Sequence, residues 1–95
     1  MKLDFNFQLP GLDGKEMPGE ANNAGKLLSA LLASQNKGNS IKLYDWALKV
    51  YNNTPLEIDD TDADVLSTLI ETSEAITIMG KVPLINYIKS VKEGK

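Results

Sequence analysis

Leu3, Phe5, Phe7 and Leu9 alternate with Lys2, Asp4, Asn6 and Gln8. Strict period two predicts a strand with one apolar face and one wet face. Pro10 ends it. Gly11-Leu12-Asp13-Gly14 then carries the Asp-Gly signal of a hairpin turn, with a short return strand near Lys15 to Met17. A hairpin alone is marginal in water, so this one must lean on helices.

The pattern next changes to a helical one. Ala24, Leu27, Leu28, Leu31 and Leu32 form one stripe at three- and four-residue spacing. Asn22 or Asn23 is placed to cap that helix, which runs to about Asn36 before the Lys37-Gly38 stop. Ser29, Ala30, Ala33 and Ser34 give it a small-residue face suited to close packing against a neighbouring helix. Ser40 caps a second helix over Ile41 to Tyr51. There Ile41, Tyr44, Leu48 and Tyr51 lie on one side and Leu43, Ala47 and Val50 on the other. A helix apolar nearly all round is expected to be central and buried, with Trp46 as a core anchor.

Asn52-Asn53-Thr54-Pro55 breaks the chain. Leu56-Glu57-Ile58 alternates and offers a short third strand. A third helix follows from Thr61 or Asp62 to Thr72, with Val65, Leu66, Leu69 and Ile70 as its stripe and Thr61 and Asp64 at capping-box spacing. Gly80 and Pro83 interrupt the last segment, so the final helix is expected from about Lys81 to Val91, after a short helical or irregular piece. The expected architecture is a single α+β domain spanning residues 1–95: an N-terminal β-hairpin, with a short third strand, packed against about four helices.

Composition narrows the chemistry. With 42% hydrophobic and 24% charged residues the chain is an ordinary folding sequence. No apolar run approaches the roughly 18 to 20 residues of a membrane helix, and no apolar stretch of a signal peptide follows Lys2, so a cytoplasmic protein without membrane contact is expected. There is no cysteine, histidine or arginine, and all ten cations are lysines. That removes thiolate nucleophiles, zinc–thiolate sites, near-neutral imidazoles and the guanidinium fork. A net charge of −3 argues against nucleic acid as a partner, since such binding depends on neutralising phosphates. No P-loop, dinucleotide or nucleophile-elbow motif is present. A non-enzymatic protein without a cofactor is expected.

Charge is unevenly placed. Glu57 to Glu74 holds seven carboxylates and no lysine, whereas the remaining residues carry six acids and ten lysines, a net of +4. Like charges at this density repel, a cost that something should offset. Two uses are open. Asp60-x-Asp62-x-Asp64 with Glu71 reproduces the first, third, fifth and twelfth positions of the calcium-binding EF-hand loop, which this stretch resembles locally. Against that, Val65 stands where the loop turns on glycine, and the apolar stripe runs unbroken through the supposed loop. The other use is a contact surface of Asp59, Asp60, Asp62 and Asp64 for a basic protein partner. Aspartates in a first turn also have a structural job, capping free N–H groups and complementing the helix dipole.

Leu12-Asp13-Gly14-Lys15, Gly25-Lys26-Leu27-Leu28, Asp45-Trp46-Ala47-Leu48 and Ile58-Asp59 before the acidic helix occur in an order that resembles small uncharacterised proteins encoded in bacterial phages and prophages. The resemblance implies an assembly, chaperone or regulatory role exercised through protein contacts.

Overall fold

A computed structural model describes residues 1–19, 22–35, 40–74 and 76–94. The elements run β1 (Lys2–Leu3), α1 (Ala24–Ala33), α2 (Ser40–Tyr51), β2 (Leu56–Glu57), α3 (Asp60–Thr72) and α4 (Ile78–Glu93). This is the α+β arrangement expected, with a two-stranded antiparallel sheet that pairs the N-terminal strand with the mid-chain strand β2, and four helices.

The period-two pattern holds as burial from Lys2 to Asn6, and breaks at Phe7 and Gln8, which are both half-buried. Leu3, Phe5 and Leu9 are buried, and Asp4 and Asn6 are exposed. Only Lys2 and Leu3 form a ladder, opposite Glu57 and Leu56 of β2, and Ile58 N–H extends it to the Met1 carbonyl at 3.0 Å. The Leu56–Ile58 segment is therefore the strand that β1 uses. Beyond Leu3 the backbone groups go elsewhere, as buried amides must. Asn6 N–H donates to Asp4 Oδ1, Phe7 N–H donates to the Phe5 carbonyl, Ala24 N–H donates to Phe7, and Leu9 N–H donates to Asn22. The hairpin closes on a Pro10–Glu16 bridge, with Gly11 N–H to Lys15 O at 2.8 Å and Met17 N–H to Leu9 O at 2.9 Å. Gly14 has φ +81°, the conformation its side-chain-free backbone permits.

Asn23 caps α1: its side-chain oxygen accepts from Lys26 N–H at 3.1 Å. Leu28, Leu31 and Leu32 are buried, with Leu27 partly so, and α1 packs chiefly on α2. The helix ends at Ala33, and the proposed Lys37-Gly38 stop lies outside the described residues. Trp46 is buried as the sequence suggests, beside Leu43, Ala47 and Val50. The expectation that α2 is central does not hold. Ile41, Tyr44, Leu48 and Tyr51 are all exposed, because α1 covers one side of α2 and no described element covers the other.

Asp59, not Thr61, caps α3: its carboxylate accepts from Asp62 N–H at 2.8 Å. The ladder decides this. Glu57 is paired and Ile58 is bonded to Met1, so Asp59 is the first residue free to turn. Ala63, Leu66 and Ile70 are buried from α3, and Val65 is not. The last helix is longer than the sequence suggests, since α4 runs unbroken from Ile78 through Gly80 and Pro83. Gly80 stays helical because it packs where a Cβ would stand 2.7 Å from Leu27 Cδ2 and 2.8 Å from Ile76 Cγ2. Leu84 and Ile88 complete the core.

Candidate functional site

The acidic residues are arranged by α3. Asp60, Asp62 and Asp64 all lie in its first two turns, where two-residue steps put neighbours on opposite sides of a helix. Glu71 stands eleven residues beyond Asp60, about 16 Å along the axis. Among the described residues no three carboxylates come together in a way that would hold a metal ion. Asp59, Asp62 and Asp64 have partners within the chain. Asp59 is the cap. Asp62 accepts from Lys42 Nζ of α2 at 2.7 Å, and Asp64 from Lys92 Nζ of α4 at 2.6 Å. The Asp64 hydrogen bond holds the Lys92 ammonium above its ordinary pKa of 10.5. Desolvation works against that rise, and the charges of Asp64, Asp60 and Glu93 add to it. The excess charge noted in the sequence thus ties the start of α3 to both α2 and the end of α4. Exposed pairs of this kind orient more than they stabilise.

The principal concavity is elsewhere. Along α4, Ile78, Met79, Val82, Pro83, Asn86, Tyr87 and Ser90 recur at one- and three-residue steps and so share one face. Opposite them stand Phe7 and the Pro10-Gly11-Leu12 turn, closing a cleft of about 920 Å³. None of these lining residues carries a charge. The span from Ile78 to Ser90 is about 18 Å of helix. Leu12 is 94% exposed and Ile78 75%, large apolar side chains that the fold leaves in water on the two rims.

The cleft wall is fixed by Tyr87. Its ring lies 5.3 Å from Phe5, edge to face, and 5.1 Å from Phe7. Its hydroxyl accepts from Asp4 N–H at 2.7 Å. These contacts hold the irregular 4–7 segment against α4, so the wall is formed before any ligand arrives. Gln8 steadies the other side, its Nε2 donating to the carbonyls of Met17 at 2.8 Å and Gly19 at 2.9 Å. Among the lining residues Tyr87 is the titratable one, and its oxygen is already engaged. The arrangement suits apolar contact.

Sequence reasoning did not single out this face. Two signals pointed to it: α4 carries more apolar residues than one buried side can take, and Leu12 is a large apolar residue set in a turn. A second, smaller groove of about 380 Å³ runs between α1 and α2, floored by Ser29, Ala30, Ala33 and Ala47 and walled by Tyr44, Leu48 and Tyr51. No helix is long and apolar enough to cross a membrane among the described residues. Set against known proteins, the chain matches no family model, no curated protein and no solved structure.

Proposed function

We propose that the protein is a non-enzymatic protein–protein interaction module, and that its contact is the cleft between α4 and the 10–12 turn. The occupant is an apolar, uncharged segment of another protein, laid along α4. One observation carries this: an uncharged lining in a chain with 24% charged residues, with Leu12 and Ile78 left exposed at its rims. Interface centres are depleted in charge and enriched in aromatic residues and methionine, as Phe7, Met79 and Tyr87 are here. Three turns of a partner helix match the length of the groove. The assembly, chaperone or regulatory role implied by the resemblance to phage-encoded proteins would be exercised through this contact.

The acidic face is the weaker support for a contact, because Asp59, Asp62 and Asp64 already serve partners within the chain. The two surfaces are separable by experiment. Peptides selected from a random display library against the protein are titrated onto wild type, Val82→Lys and Asp60→Lys. Val82 is half-exposed and lysine suits a helix better than valine, so the first variant keeps the fold. Affinity should fall by more than about tenfold in Val82→Lys, the loss expected for one buried side chain, and stay level in Asp60→Lys. The opposite ranking would move the contact to the acidic face and a basic partner.

A further inference from the structure

The exposed side of α2 is a second apolar surface, distant in the chain from the cleft and independent of it. Ile41 is 85% exposed and Tyr44 66%, and with Leu48 and Tyr51 they make a stripe along the whole helix. Large contiguous apolar stripes on a folded chain mark contact surfaces. Its surroundings restrict what fits. On the side facing α1 the groove floor is built of small residues, Ser29, Ala30, Ala33 and Ala47, which leaves room for inserted side chains. The Tyr51 wall is held in place, since Lys26 Nζ lies 3.7 Å from its ring centre and donates to its carbonyl at 2.9 Å. On the other side of the stripe stand Asp45 and Lys49, one turn apart and 3.1 Å from each other.

We propose that this face is the interface of a homodimer in which α2 packs antiparallel against α2 of a second copy about a two-fold axis. Charge complementarity selects the occupant. In an antiparallel pair each helix flank meets the same flank of its partner, in reversed order. With the axis near Ala47, Asp45 of one copy faces Lys49 of the other, and Lys49 faces Asp45. The same register sets Leu48 beside its own copy and Tyr44 opposite Tyr51. A single helix therefore presents a self-complementary pattern of charge and apolar side chains, the requirement for an isologous contact. The small-residue floor takes the partner's Leu48 and Tyr44. Two-fold pairing keeps both α1 helices on the same face of the α2 pair.

Sedimentation velocity across a concentration series tests the pairing. Wild type should show a concentration-dependent dimer. Leu48→Lys should weaken it by more than about tenfold, since the substitution removes an apolar contact from both copies and sets two ammonium groups together. The discriminating arm uses charge. Asp45→Lys and Lys49→Asp chains should each be monomeric alone. Mixed in equal amounts they should form a heterodimer, because a chain with two lysines on this flank meets one with two aspartates. A merely structural role for the Asp45–Lys49 pair would not produce that pairing. A wild type that stays monomeric into the millimolar range overturns the proposal, as does a Leu48→Lys chain that dimerises equally well. Failure of the single-charge variants to pair with each other would overturn the antiparallel register.

Discussion

Gly25 is where backbone from neighbouring segments leaves no room for a side chain. A Cβ at that position would stand 2.7 Å from the Val50 carbonyl oxygen, 3.2 Å from Asn23 Oδ1 and 3.3 Å from the Phe5 carbonyl oxygen. Ordinary contact begins near 3.4 Å, so about 0.7 Å must be absorbed against Val50 alone. Two of the three obstacles are backbone. Val50 O lies in the last turn of α2 and accepts from Asn53 N–H at 3.3 Å, and Asn23 Oδ1 is the α1 cap, so neither yields without losing a bond. Overpacking of this kind costs about 1–3 kcal/mol. Alanine returns part of that through helix propensity, at most ~1 kcal/mol and less in a first turn. Gly25→Ala should therefore destabilise by about 1–2 kcal/mol, a fall in Tm of roughly 4–16 °C for a domain of this size. Gly80→Ala is the control. The atoms a Cβ would meet there are side-chain methyls of Leu27 and Ile76, which can shift more readily than backbone, and the propensity gain offsets them. Its loss should be the smaller. Urea unfolding followed by the fluorescence of Trp46, the chain's single tryptophan, measures both variants. A Gly25→Ala protein as stable as wild type, or a larger loss in Gly80→Ala, would refute the reasoning.

Two other perturbations read the start of α3. Asp59→Ala should cost about 1 kcal/mol through loss of the cap, whereas Thr61→Ala should stay within ~0.5 kcal/mol; equal losses in urea unfolding would show that the cap is misassigned. Lys92 should titrate above 10.5 by NMR of its side chain, and Asp64→Asn should bring it back toward that value. Because the folded-state pKa is raised, the contribution of this pair to stability is whole below pH 10.5 and is lost as pH climbs through the folded-state value. An unchanged Lys92 pKa in Asp64→Asn would refute the pairing.

The elements were legible where local chemistry decides them. A cap at Asn22 or Asn23, the α1 stripe, Trp46 in the core and Leu56–Ile58 as a strand all follow from side-chain spacing, and the structure selects Asn23. The misreadings share one cause, which is that periodicity states which way a residue faces and not what lies there. Leu3 to Asn6 alternates in burial, yet only Lys2 and Leu3 find a ladder partner, because β2 is two residues long. The two apolar sides of α2 suggested a central helix, but only α1 packs extensively against it. At α3 two capping spacings overlap, Asp59 with Asp62 and Thr61 with Asp64, and the choice is made by the distant pairing of Glu57 with Lys2. Gly80 looked like a break until Leu27 and Ile76 were found to fill the space beside it. The cleft was the least legible feature, since its walls come from opposite ends of the chain and meet through Tyr87. The acidic stretch was conspicuous for the reverse reason, its residues being adjacent in sequence while their lysine partners, Lys42 and Lys92, are remote.

The central claim is that the uncharged face of α4 receives an apolar segment of another protein. Its most direct measurement is a set of intermolecular NOEs from a selected peptide to isotope-labelled methyl groups of this chain. The account predicts contacts to the methyls of Leu12, Ile78, Met79 and Val82, and none to Val65 beside the acidic residues of α3. Contacts confined to Val65 and its neighbours, with the cleft methyls silent, would contradict it.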